Sequence, residues 1–99
     1  MADRHEDQLF FRLCSDHLSV EAIPKRRLRI DFNEIKQKLE SKYRVLMWTP
    51  YFVVLGIISG VEEITLRRDG RMIIRKAGSD EMARLEAVRL LGVLLNATK

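Results

Sequence analysis

The pair Asp69-Gly70 constrains this chain more than any other two residues, because it joins two short β-prone runs, Ile64-Thr65-Leu66-Arg67 and Met72-Ile73-Ile74-Arg75. Such an arrangement reads as a hairpin, and the loop length sets its register. A two-residue Asp-Gly loop would pair Leu66 with Ile73 and Ile64 with Arg75, mixing apolar and charged residues on each face. A three-residue loop, Arg68-Asp69-Gly70, pairs Arg67 with Arg71, Leu66 with Met72 and Ile64 with Ile74, and sets Glu63 opposite Arg75. A slip of one residue would turn every side chain to the wrong face, so the apolar pattern selects the longer loop. Gly70 then takes the left-handed position that closes such a loop, where the lack of a Cβ matters.

The remaining segments supply partners for this hairpin. Leu9 to Leu13 reads either as one helical turn or as an edge strand, and the polar stretch Met1 to Gln8 ahead of it as a frayed end. Leu18, Val20 and Ala22 alternate with polar neighbours in a strand that Pro24 ends, and Leu28 and Ile30 alternate with Arg27 and Arg29 in a second short extended piece that either pairs with the first or simply carries the chain onward. Asp31, with Glu34 three residues on, has the form of a capping box opening a helix whose stripe is Phe32, Ile35 and Leu39. Val45 to Trp48 returns as a strand. Tyr51 to Ile58, apolar at nearly every position, suits a central strand covered on both faces. Ser79 or Asp80 caps a last helix, with Met82, Leu85, Val88 and Leu95 on one side and Ala83, Ala87, Leu90, Leu91 and Leu94 widening the face. The Leu90–Leu95 end is broad enough to meet a second chain in a homodimer, although burial in its own core is the simpler reading.

This order predicts one α+β domain over 1–99, a two-layer sandwich with two helices on one face of a curved, mainly antiparallel sheet. Ninety-nine residues, 46% of them apolar, are enough for a single core. The longest apolar tract, Val45 to Ile58, is broken at Thr49-Pro50 and falls short of the ~20 residues a spanning helix needs, so no membrane partner is expected. The charged N-terminus lacks an apolar signal core, and a lone cysteine permits no internal disulfide; both favour a cytoplasmic setting.

The chemistry is mostly a matter of surface charge. No glycine-rich loop joins a strand to a helix, so no nucleotide cofactor is expected. Cys14 and His17, with His5 nearby, have a metal-like spacing but lack the paired thiolates of a structural zinc site. His17 would lower the thiolate pKa if it met Cys14, making Cys14 the one candidate reactive thiol. With Ile64, Leu66, Met72 and Ile74 facing the helices, Arg67, Arg71 and Arg75 project from the opposite face, joined by Arg27 and Arg29 if their segment pairs in the sheet. A net charge of +4 suits an acidic partner, protein or nucleic acid. Base stacking would require aromatic rings on that same face, whereas the aromatic residues read as core.

The run Asp69-Gly70-Arg71-Met72-Ile73-Ile74-Arg75, followed by Asp80, Ala83-Arg84, Arg89 and Gly92, resembles the C-terminal module of ThiF/MoeB/HesA-type adenylyltransferases, the ubiquitin-activating-like enzymes of sulfur-carrier pathways. Ile30-Asp31 with Ile35 and Leu39 is similar to that module's first helix, Tyr51-Phe52-Val53 to its central strand, and Leu13-Cys14 to the start of its Leu-Cys-Gly-Arg-Asn segment. Ser15-Asp16-His17 departs from that segment, Arg67-Arg68 replaces an aromatic-proline pair, and the nucleotide-binding domain is missing. The resemblance therefore implies a stand-alone accessory domain without adenylation chemistry. Its partner would be a ThiF/MoeB-like enzyme or a ubiquitin-like sulfur carrier. The rival readings are a nucleic-acid-binding domain using the basic face and a sulfur-transfer protein using Cys14.

Overall fold

The computed structural model describes residues 8–13, 19–58 and 60–97, with residues 96 and 97 described by their backbone alone. Six strands and two helices follow in the order β1 (Leu9–Leu13), β2 (Ser19–Pro24), α1 (Phe32–Lys42), β3 (Tyr43–Trp48), β4 (Phe52–Ile57), β5 (Glu63–Arg67), β6 (Met72–Arg75) and α2 (Asp80–Ala97). All strand pairs are antiparallel in one open sheet, ordered β1-β2-β6-β5-β4-β3. Both helices lie on one face, giving the α+β arrangement read from the sequence.

The hairpin β5–β6 has the register the apolar pattern demands, with Leu66 opposite Met72, Ile64 opposite Ile74 and Glu63 opposite Arg75. Gly70 donates to the Arg67 carbonyl at 3.0 Å, and Arg67 donates to the Arg71 carbonyl at 2.9 Å, closing the three-residue loop. Gly70 has φ +92°, and the Asp69 carboxylate accepts from the Arg71 amide at 3.0 Å. Above this tip runs the chain from β2 to α1, with Ile30 donating to the Arg68 carbonyl at 2.9 Å. Residues 25–31 form no strand, so of the two uses open to the extended piece at Arg27–Ile30 the structure takes the second: it carries the chain onward as a connector draped over the hairpin.

Helix α1 carries the chain from β2 to the far edge of the sheet. Four strand spacings separate β2 from β3, about 19 Å, and an 11-residue helix spans about 16 Å. The four-strand meander β3 to β6 then returns to pair β6 with β2. At the start of α1 the Asp31 carboxylate accepts from the Asn33 amide at 3.0 Å, and at α2 the Ser79 hydroxyl accepts from the Met82 amide at 3.1 Å. Each cap satisfies an amide that the first helical turn cannot pair internally.

The core lies between the helices and one sheet face: Val20, Ala22, Val53, Leu55, Ile64, Leu66, Met72 and Ile74 from the strands, Phe32, Ile35 and Leu39 from α1. From α2 come Ala83, Ala87, Leu90, Leu91 and Leu94, all buried. Their spacing keeps to one stripe, and the two alanines let the helix lie close to the sheet. Of the apolar residues expected on this helix's face, Met82 is exposed and Leu85 half-buried, whereas Val88 joins the core and the apolar end at Leu90–Leu94 is spent in the chain's own core.

Of the two readings of Leu9–Leu13, the edge strand is the one formed, with β2 as its neighbour. One further expectation needs correction. Strand β4 is covered on one face only, because Val53 and Leu55 enter the core while Phe52 and Val54 turn the other way and stay half-buried. Among the described residues no helix is long and apolar enough to cross a membrane.

Candidate functional site

The uncovered face is built by strand parity. Since Met72 and Ile74 enter the core, Ile73 and Arg75 point away from it; the same alternation turns Glu63, Thr65 and Arg67 outward on β5. Neighbouring registers extend this into rows across the sheet. One row runs Arg12, Glu21, Ile73, Thr65, Val54 and Met47 from β1 to β3. A second runs Phe10, Ile23, Arg71, Arg67 and Phe52, and a third holds Ser19, Arg75, Glu63, Gly56 and Arg44.

Charge on this face is only partly balanced. Arg12 Nε lies 2.7 Å from Glu21, Arg71 Nε 3.6 Å from Asp69, and Lys76 Nζ 3.0 Å from Glu63. Among the described residues Arg44, Arg67 and Arg75 have no carboxylate within ion-pair distance, and all three are exposed. Beneath the guanidinium groups lies an apolar layer. Ile23, Phe52, Val54 and Ile73 are half-buried yet do not pack against the core, and Phe10 is 58% exposed. At the β3 edge a bulge between Val45 and Met47 lets Leu46 lean over β4, where a Cβ on Gly56 would come within 3.4 Å of it.

The structure brings Arg67, Arg71 and Arg75 together on one face and separates them from Arg27 and Arg29. Pro24 ends β2, and the connector carries Arg27 to a cleft beside Leu91 and Leu95, and Arg29 to another beside Arg68, Phe32 and Trp48. Cys14, His5 and His17 lie outside the described residues. Among those described, no group of three histidines, cysteines or carboxylates is placed to hold a metal. Phe10, Phe52, Arg12 and Arg44 were not anticipated on this face. The β4–β5 register places Phe52 beside Arg67, a pairing that the apolar run of β4 does not reveal in the sequence.

A smaller polar cluster sits between α2 and the β3–β4 end of the sheet. Glu86 is buried and accepts from Arg89 Nη1 at 3.2 Å, and both border a cleft with Tyr43. The Tyr43 hydroxyl is pushed up to about 12, chiefly because burial disfavours the phenolate and secondarily because Glu86 is negative nearby, with Arg89 opposing. A folded pKa above the unfolded value of ~10 means full stability below that pH, lost progressively as pH rises through the folded pKa. The expected result is an alkaline loss of roughly 2 kcal/mol between about pH 10 and 12. Replacing Tyr43 by Phe should remove most of that slope. Urea unfolding across this range checks it, and equal slopes in both proteins would contradict the buried phenol.

Fold and face together define the chain as a small α+β domain with an open, arginine-bearing sheet surface. Comparison with protein-family models, with curated proteins and with solved structures gives no match.

Proposed function

We propose that the chain is a non-catalytic binding module that docks an acidic macromolecule on its open sheet face, in a cytoplasmic setting that suits its single cysteine. The observation that carries this reading is a set of three guanidinium groups, Arg44, Arg67 and Arg75, that meet no carboxylate among the described residues and stand over an apolar layer that the core does not use. Exposed arginines beside apolar surface gain attraction to an anion while their stems and neighbours gain burial. Arg71 adds to the same field, because the Asp69 contact at 3.6 Å is long and exposed. The resemblance of residues 69–92 to the ThiF/MoeB/HesA module supplies the protein candidates for the partner, an activating enzyme or a ubiquitin-like sulfur carrier. A nucleic acid is the second reading, favoured by the placement of Phe10 and Phe52 on the same face as the arginines.

Binding to heparin, a generic polyanion, tests the face without presuming the partner. The double variant Arg67→Glu with Arg75→Glu should weaken binding at least about tenfold at low salt, on the order of 1.4 kcal/mol. Reversing Lys36 and Lys38 on the solvent side of α1 makes the same charge change elsewhere and should have a much smaller effect. Equal losses in the two double variants would reduce the interaction to net charge and remove the face from consideration.

A further inference from the structure

We propose that the open face binds single-stranded nucleic acid, with bases stacked on Phe10 and Phe52 and the intervening phosphates held by Arg71 and Arg67. The proposal rests on the open face being the docking surface and names what docks there.

The strand registers put these four side chains in one line. Phe10 stands opposite Ile23, and the β2–β6 register continued by one residue sets Ile23 beside Arg71. Arg71 pairs with Arg67 across the hairpin, and Arg67 stands opposite Phe52 on β4. The line therefore crosses five strands at right angles, with an aromatic ring at each end and two guanidinium groups between. Four strand spacings separate the rings, about 19 Å, and binding sites of about four nucleotides upward are usual on stacking platforms.

Each member has the property the role requires. Neither ring packs against the core: Phe10 is 58% exposed and Phe52 half-buried, so both offer a π-face that any base can cover. Lys25 Nζ lies 5.0 Å from the Phe10 ring centroid, a flexible cation able to turn to a phosphate when a base takes the ring. Ile73 and Val54, in the adjoining row, extend the apolar floor on which sugars and base edges would lie. Among the described residues the carboxylates near the line, Glu21 and Asp69, are each met by an arginine, so they oppose the anion weakly.

The same features distinguish among polyanions. A duplex keeps its bases stacked inside and presents phosphates, leaving both rings unused. An acidic peptide matches the arginines but gains little from two separated rings lying on the sheet. Single strands alone engage every member of the line, because their bases are free to splay onto aromatic side chains.

Fluorescence anisotropy of the full chain with labelled ten-nucleotide RNA and DNA, a duplex of the same length and a poly-glutamate peptide tests the proposal. Single strands should bind tightest, with a log–log salt slope between about −2 and −3, as a few phosphate contacts give. Comparing RNA with DNA shows whether the sugar is read. Phe10→Leu and Phe52→Leu keep apolar bulk but lose the π-face, and each should weaken single-strand binding roughly 5- to 150-fold. Phe52→Trp should retain affinity within about threefold, and a thermal melt of each variant shows that it folds. If single strands do not bind at low salt, if poly-glutamate or duplex binds as tightly, or if the leucine variants bind like the parent, the proposal is overturned. Should the leucine variants be silent while Arg67→Glu with Arg75→Glu abolishes binding, stacking fails and the docking face survives. Silence in both sets removes both.

Discussion

Replacing Gly70 by Val is expected to destabilise the chain by about 2–6 kcal/mol, the sum of two separate costs of similar size. The first is conformational: φ at Gly70 is +92°, a region that β-branched residues avoid at about 1–3 kcal/mol. The second is steric. A Cβ at residue 70 would fall 2.7 Å from Leu28 Cδ1 and 3.0 Å from Pro24 Cγ. Leu28 can rotate aside, but the proline ring cannot, so overpacking adds about 1–3 kcal/mol. Since 1 kcal/mol moves the midpoint of a domain this size by about 4–8 °C, thermal unfolding should show a drop of at least about 8 °C. Gly70→Asn separates the costs, because Asn tolerates the left-handed region while still bringing a Cβ. It should fall between glycine and valine. A valine variant that melts with the parent would mean that the connector does not lie over the hairpin tip. The same variant should also lose heparin affinity, since Arg67 and Arg71 owe their positions to this turn.

Adjacent isoleucines on β6 give the second large effect. Ile74 is fully buried between Val20 and Ile64, beneath α2, so Ile74→Ala should cost about 2–5 kcal/mol through lost burial and a cavity. Ile73, one residue earlier, lies half-buried on the open face outside the core, and Ile73→Ala should cost about 1 kcal/mol. The binding effects should be ordered oppositely: the Ile73 variant keeps its fold and loses part of the apolar floor, whereas the Ile74 variant binds normally wherever it remains folded. Urea unfolding with heparin binding on the same samples checks the pair. Equal destabilisation by the two substitutions would mean that the sheet has no open face.

Several elements were legible because short-range chemistry determines them. The hairpin loop follows from the glycine and from the need to set Leu66 against Met72. The start of α1 follows from Asp31, whose carboxylate caps the first turn. The start of α2 follows from Ser79 in the same way. The side on which Phe52 lies was hidden for an equally local reason. From Phe52 to Ile57 every residue but Gly56 is apolar, so alternation leaves no mark in the sequence and both faces look alike. The place of Arg27 and Arg29 stayed open for the opposite reason: their alternation with Leu28 and Ile30 imitates a strand, and only packing shows that the segment is used as a connector, its Leu28 packed over Gly70. On α2 the apolar residues outnumber the positions that can face one sheet, which is why Met82, expected on the buried face, lies outside it.

By itself, the amino-acid order determined the two helices, the start of α1 at Asp31, the strands from β3 to β6, the β5–β6 register and the layering of two helices on one antiparallel sheet. These depend on backbone preferences and on apolar spacing within a few residues. Only the tertiary structure decided that β6 pairs with β2, that β1 extends the edge and that Phe10, Arg71, Arg67 and Phe52 share one line. Those four residues come from segments up to about sixty positions apart. Their alignment is a product of strand registers, which are settled when whole strands bury one face together rather than by any residue's own preference.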